Sequence, residues 1–216
     1  MLSYLSEKLL GKDVLGLLID TNATQNLKCK EMARVFITGS SDGIGLLAAK
    51  LLVTEGHKVV LHGRNLRRAE EAIKTVTGAE AAVFGDMASM VETKELAKQV
   101  NNLGAFDAII HNAGVGFHGS EREVTSDGIP TIFAVNSLAP YILTCLINRP
   151  KRLVYVSSGL HRGGDISLKD LFWETRPWNG MNAYSDTKLH NLILSMAVAR
   201  LWNNVYSNAI EPGWVA

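Results

Sequence analysis

The sequence predicts an α/β protein, a parallel sheet wrapped by helices on both faces, and three observations predict it. From Ala33 onward, short β-branched runs alternate with longer segments of helical period, the pattern of successive βαβ units. The strand segments are almost wholly apolar, as strands covered on both faces are. One of them, Val35-Phe36-Ile37, runs through a glycine-rich turn straight into an apolar helix.

Strands are predicted near 34–38, 58–62, 81–84, 108–111, 152–157 and 205–210. Helices are predicted at 43–55, 66–76, 89–102, 129–147 and 183–202. Right-handed crossovers between parallel strands then place helices on both faces of the sheet. The most irregular stretch is 159–180, rich in Gly, Asp, Trp and Arg, and a loop that long between strand and helix is usually functional.

At 216 residues, 47% hydrophobic and 20% charged, the chain can bury one sizeable core and predicts one domain, residues 32–216. Residues 1–31 read either as a short amphipathic helix packing on that domain or as an upstream extension. Twenty-two basic and 21 acidic residues give a net charge of +1, so no overall field recruits nucleic acid or an anionic membrane. The cluster Arg64, Arg67 and Arg68 still offers a local anion site, the alternative being a solvated face, which is the expectation for Arg67 and Arg68. Two cysteines, Cys29 and Cys145, make a poor disulfide framework and point to a reducing cytoplasm; no Cys or His pair recurs at zinc-ligand spacing. No apolar run reaches the roughly 18 to 20 residues that span a bilayer, so a soluble protein is expected.

The turn reads Thr38-Gly39-Ser40-Ser41-Asp42-Gly43-Ile44-Gly45. Glycines at a strand-to-helix turn allow close backbone approach, and the free N–H groups of the helix N-terminus meet the charge of a pyrophosphate. A dinucleotide site is therefore expected here. An NAD site places a carboxylate at the end of the second strand, about 20 residues on, for the ribose 2′-hydroxyl; an NADP site places a base there. This chain has His62-Gly63-Arg64, no carboxylate, and Arg64 positioned to pair bidentately with a 2′-phosphate. NADP(H) is the expected cofactor.

The spacing T-G-x-x-x-G-x-G resembles that of the short-chain dehydrogenase/reductase family. The likeness continues through His111-Asn112-Ala113-Gly114, Asn136, Ser157-Ser158, Tyr184-x-x-x-Lys188 and Pro212-Gly213, in the family's order. The long separation of Ser158 from Tyr184 looks most like the branch of retinol-dehydrogenase-like and protochlorophyllide-reductase-like enzymes. The resemblance implies a Rossmann-type doubly wound sheet of order 3-2-1-4-5-6, a seventh strand and substrate lid lying beyond this sequence, and pairing into a homodimer or homotetramer. It implies Asp86 near the adenine, where the alternative is an ordinary helix cap, and Asn112, Ala113 and Gly114 along the adenosine pocket. His111 replaces the family's first asparagine and reads as a packed variant.

For chemistry, the resemblance implies Tyr184 as the acid/base at a carbonyl oxygen, Lys188 lowering its pKa and holding the nicotinamide ribose, and Ser158 polarising the carbonyl. Asn136 would hold a water that relays protons, and Pro212 and Gly213 would lie over the nicotinamide. Tyr184 and Lys188, four apart on a helix, share one face. The expected reaction is hydride transfer between an alcohol and a small-molecule carbonyl. Phe117, Trp173, Trp178 and Trp214 could line an apolar substrate cleft. Two other readings stand beside this one: a nucleotide-binding protein without turnover, whether sensor or remnant of a shortened gene, and a nucleotide-sugar epimerase, against which the glycine spacing argues.

Overall fold

In the computed structural model, residues 32–116 and 121–213 are described. The expectations for residues 1–31, Phe117 and Trp214 lie outside them. Six strands form one parallel sheet: β1 (Arg34–Ile37), β2 (Lys58–Gly63), β3 (Ala81–Phe84), β4 (Ala108–His111), β5 (Arg152–Val156) and β6 (Tyr206–Ile210). Their order is β3-β2-β1-β4-β5-β6, the doubly wound arrangement. The chain reverses direction of travel at β1 and β4, and this switch point opens a crevice above their carboxyl ends.

Alternation along each strand feeds two cores. Phe36, Val60, Ile109 and Leu153 point to one face and meet Leu96, Val100 and Leu143. Val35, Ile37, Val59, Leu61 and Val154 point to the other and meet Ala49, Leu52 and Ala72. The second face is covered by α1 (Gly43–Thr54) and α2 (Leu66–Thr75), the first by α3 (Met90–Asn102) and the helices that follow β4.

The single long helix expected at 129–147 is three pieces. α4 (Thr131–Phe133) leads into a π-helical turn (Ala134–Leu138), and α5 (Ala139–Leu146) follows. In the π turn the Ala139 N–H bonds to the Ala134 carbonyl, five residues back. The last helix, α6 (Gly180–Leu201), begins a turn earlier than the apolar pattern suggests, because the Asn179 side chain accepts from the Asn182 N–H and caps it. Tyr184 thus sits inside the helix rather than at its tip. Among the described residues no helix is long and apolar enough to cross a membrane, and no group of His, Cys, Asp and Glu could hold a metal. Cys145 is an exposed free thiol.

Candidate active site

The turn after β1 is held from three sides. Gly39 has φ +61°, and a Cβ there would stand 2.8 Å from Ala113 Cα. A Cβ on Gly45 would overlap both the Gly39 carbonyl oxygen and the Asn112 side chain, so only glycine lets the first turn of α1 come this close to the loop. Asn112 Nδ2 donates to the carbonyls of Thr38 (3.0 Å) and Gly39 (2.9 Å), tying β4 to the turn. Thr38 Oγ1 accepts from the N–H groups of Asn112 and Ala113, both at 3.0 Å.

The Ser40 hydroxyl points inward, donating to the Ile37 carbonyl at 2.9 Å and accepting from His62 N at 2.8 Å. Its side chain shapes the turn and is not offered to a phosphate. Ser41 is half-buried, Asp42 and Gly43 are exposed, and Ile44 lines the cleft described below.

Two residues of this region escaped sequence reasoning. His62, buried at the end of β2, accepts from Gly39 N through Nδ1 at 2.9 Å, which leaves Nε2 to donate to the Gly85 carbonyl at 3.0 Å. Burial pulls its pKa down to about 4, so the imidazole is neutral. The sequence sign was a polar residue closing the run Val59-Val60-Leu61, since a buried polar group needs partners. Arg68, expected on a solvated face, instead forms an ion pair with Asp42 of the turn. Arg67 does lie on such a face, paired with Glu71. Arg64 is exposed just past β2, and among the described residues no ion pair engages it.

Asp86 is half-buried after β3. Its carboxylate accepts from Ala88 N at 2.9 Å, but α3 starts only at Met90 and is capped by Ser89, so Asp86 caps a turn and not that helix. His111 is buried, stacked on Tyr155 with ring centroids 4.8 Å apart, and burial holds its pKa down near about 3.

Ser158, Tyr184 and Lys188 converge on a cleft of about 640 Å³ that Ile44, Asn112, Gly114, Pro212 and Gly213 also border. The cleft therefore joins the glycine turn to the end of β5 and to α6. Ser158 hydrogen-bonds the Tyr184 side chain, which favours phenolate, while burial, the larger effect, pushes the phenol up from its ordinary value. Lys188 is only 4% exposed. Its Nζ donates to the Val156 carbonyl at 3.0 Å and lies 5.4 Å from the Tyr184 ring centroid. Burial lowers its pKa to about 8, so it is charged at neutral pH and easily discharged above it. Ser157 turns the other way, donating to the Lys188 carbonyl at 2.8 Å and pinning α6 to β5.

Asn136 occupies the π turn. Its Oδ1 accepts from Val115 N at 2.8 Å, and its Nδ2 donates to the Val115 carbonyl at 3.0 Å and to Thr187 Oγ1 at 3.1 Å. The side chain is thus engaged with Val115 and Thr187. Pro140, four residues on, has no N–H to take the Asn136 main-chain carbonyl. Gly114 lets the Asn136 side chain and the lysine come together: a Cβ there would be 3.3 Å from Lys188 Nζ and 3.4 Å from Asn136 Oδ1.

Trp173 and Trp178 do not border the cleft. They pack edge to face on one another behind Tyr184, in a cluster with Ile132 and Ala183. Aromatic area on an irregular segment signalled burial here, not substrate contact.

The model of the family described as short chain dehydrogenase matches residues 33–216. The chain belongs to the short-chain dehydrogenase family of oxidoreductases. This short-chain dehydrogenase is 50% identical over 187 residues to an uncharacterised oxidoreductase of Emericella nidulans, covering 85% of the chain and 71% of that protein. It is 44% identical over 188 residues to the short-chain dehydrogenase chyC of Penicillium rubens, covering 86% and 72%. With human retinol dehydrogenase 13 the identity is 32% over 193 residues, covering 83% of the chain and 58% of that protein. Among solved structures, a protein of Mycobacterium paratuberculosis superposes with TM-score 0.73 at 31% identity, covering 82% of this chain and 65% of the other.

Proposed function

We propose that this short-chain dehydrogenase interconverts an alcohol and a carbonyl by NADP(H)-dependent hydride transfer, with Tyr184 as the acid/base. The observation that carries the reading is the single cleft that joins the glycine turn to Ser158, Tyr184 and Lys188. The turn fits a dinucleotide because its glycines let β1 turn sharply into α1, whose first-turn N–H groups and positive end suit a pyrophosphate. Arg64, exposed beyond β2 where no carboxylate stands, supports a 2′-phosphate and hence NADP. Bound there, the nicotinamide cofactor supplies or accepts the hydride.

The chain's own groups handle the proton. Ser158 and Tyr184 hydroxyls bind the substrate oxygen together, and Tyr184 gives up its proton to the developing alkoxide in reduction. The Lys188 ammonium beside the ring stabilises the phenolate so formed, against the burial that disfavours it. The π turn at Asn136, whose carbonyl has no i+4 donor because Pro140 lacks an N–H, would hold a water that returns a proton to Lys188. Asp86, Asn112, Ala113 and Gly114 border the adenosine side, and Pro212 and Gly213 the nicotinamide side. The exposed apolar side chains Tyr141, Leu146, Met196 and Leu201 on α5 and α6 support self-association through these helices.

The test is a fluorescence titration with NADPH and NADH, followed by NADPH oxidation across a panel of aldehydes and ketones, each run on wild type and Tyr184→Phe. Tight NADPH binding with turnover that Tyr184→Phe abolishes is expected. Binding without turnover of any panel member, or turnover that survives Tyr184→Phe, would overturn the reading.

A further inference from the structure

The segment between β5 and α6 carries more organisation than a connection needs. After the 3₁₀ turn Gly159–Gly163, three non-glycine residues adopt left-handed backbone: Leu168 (φ 55°), Asp170 (φ 52°) and Trp173 (φ 54°). Such conformations are unfavourable and persist only where surrounding contacts over-determine them. The contacts here converge on Arg176. Its guanidinium donates to Asp186 Oδ2 at 2.6 Å, reaches Asp165 and Asp170 at 3.7 Å, and lies over the Trp173 ring, its carbon 3.6 Å from the centroid. Asp170 in turn accepts from the backbone N–H groups of Glu174 (2.7 Å), Thr175 (3.2 Å) and Arg176 (3.1 Å).

Asp186 is the anchor on the helix. It is 5% exposed, two residues after Tyr184, and its second oxygen accepts from Asp165 N at 2.8 Å. One buried carboxylate on α6 therefore gathers both ends of the segment 165–176, and the arginine that completes its pairing also clamps Trp173. Trp173 is 8% exposed and forms, with Ile132 and Ala183, the cluster against which Tyr184 packs.

We infer that Arg176 and Asp186 are positioning residues for Tyr184: their ion pair holds Trp173 as the wall that fixes the phenol against Ser158. This rests on the proposed role of Tyr184. Neither residue borders the cleft, so each acts through Trp173 and not on substrate or cofactor.

The test uses the full chain as wild type, Arg176→Met, Arg176→Lys, Asp186→Asn and the Arg176→Met/Asp186→Asn double variant, with thermal unfolding confirming that each is folded. With NADPH and a carbonyl from the panel above, kcat should fall about tenfold or more in each Met or Asn variant while KM for NADPH stays within about twofold. Because the two residues form one unit, the double variant should lose little beyond either single. Arg176→Lys, which keeps a charge, should recover part of kcat. Folded variants with near wild-type kcat, losses that multiply in the double variant, or a parallel loss of NADPH binding would overturn the inference. A dead Tyr184→Phe beside an active Arg176→Met would sink this inference alone, whereas an active Tyr184→Phe would sink the reading beneath it.

A second readout needs neither turnover nor the variants' catalysis: ultraviolet titration of the Tyr184 phenol, taken as the difference from Tyr184→Phe. Lys188 and Ser158 face that phenol in every variant, and Asp186 and Arg176 are the charges altered. A lost wall lowers its pKa in both Arg176→Met and Asp186→Asn, because burial is what raises it. Shifts of opposite sign would report only the changed charges and would overturn the inference; the variant that folds decides if the other does not.

Discussion

His62 Nδ1 accepts the Gly39 amide at 2.9 Å, so the end of β2 sets the shape of the turn after β1. The contact also makes the turn sensitive to acid. His62 and His111 have pKa values of about 4 and about 3 in the fold against 6.5 unfolded, because both are buried. Each supports the fold as a neutral ring above pH 6.5, and that support is lost as pH falls from 6.5 through those values. Unfolding free energy should drop below that point by up to about 1.4 kcal/mol per pH unit for each histidine. Urea melts across the range should show a shallower slope in His111→Phe than in wild type; equal slopes would refute the assignment.

Lys188 keeps an ammonium at 4% exposure with a pKa of about 8, below the unfolded 10.5. At neutral pH the folded state therefore carries a desolvated charge, and stability should rise as pH climbs from 8 towards 10.5. Lys188→Met, of similar length and uncharged, should abolish turnover yet gain on the order of 1 to 3 kcal/mol of stability at pH 7. Calorimetry of the two proteins at neutral and at alkaline pH checks this, the gain shrinking as the wild-type lysine discharges. A lower Tm for Lys188→Met at pH 7 would count against it.

In carbonyl reduction Tyr184 must start protonated and Lys188 charged. Burial pushes the phenol up, so the lysine discharges first, at about 8. The profile of kcat/KM for reduction should be level at neutral pH and decline above about pH 8. A profile that keeps rising through that region would contradict the assigned pair.

Arg64 is assigned to the 2′-phosphate alone. Arg64→Met should weaken NADPH binding by about ten- to a hundredfold and leave NADH within about threefold, since only one of the two carries the group it pairs with. Isothermal titration with both nucleotides decides; equal losses for the two would place Arg64 elsewhere.

Gly45 tests the turn itself. A Cβ there overlaps the Gly39 carbonyl oxygen and the Asn112 amide, both backbone-tied and unable to yield. Gly45→Ala should reduce binding of NADPH and NADH together, by about tenfold or more, and lower stability by about 1 to 3 kcal/mol. Binding within about twofold of wild type would show that the turn relaxes freely.

The sequence by itself determined the βαβ alternation, and its motifs, through the family resemblance they carry, implied the strand order and the meeting of Ser158, Tyr184 and Lys188 at one cleft. Those signals are local: a glycine spacing, a Tyr and Lys four apart, apolar runs of strand length. It also determined that no carboxylate follows β2. Tertiary structure decided what depends on partners distant in the chain. Whether Arg68 is solvated or paired depends on Asp42, 26 residues away. Whether the Asn136 side chain is free or engaged depends on Val115 and Thr187, and whether two tryptophans face substrate or core depends on Ile132 and Ala183. A side chain's type sets which bonds it can make, but packing sets which of them it does make, because each buried polar group takes the partner the fold brings within reach.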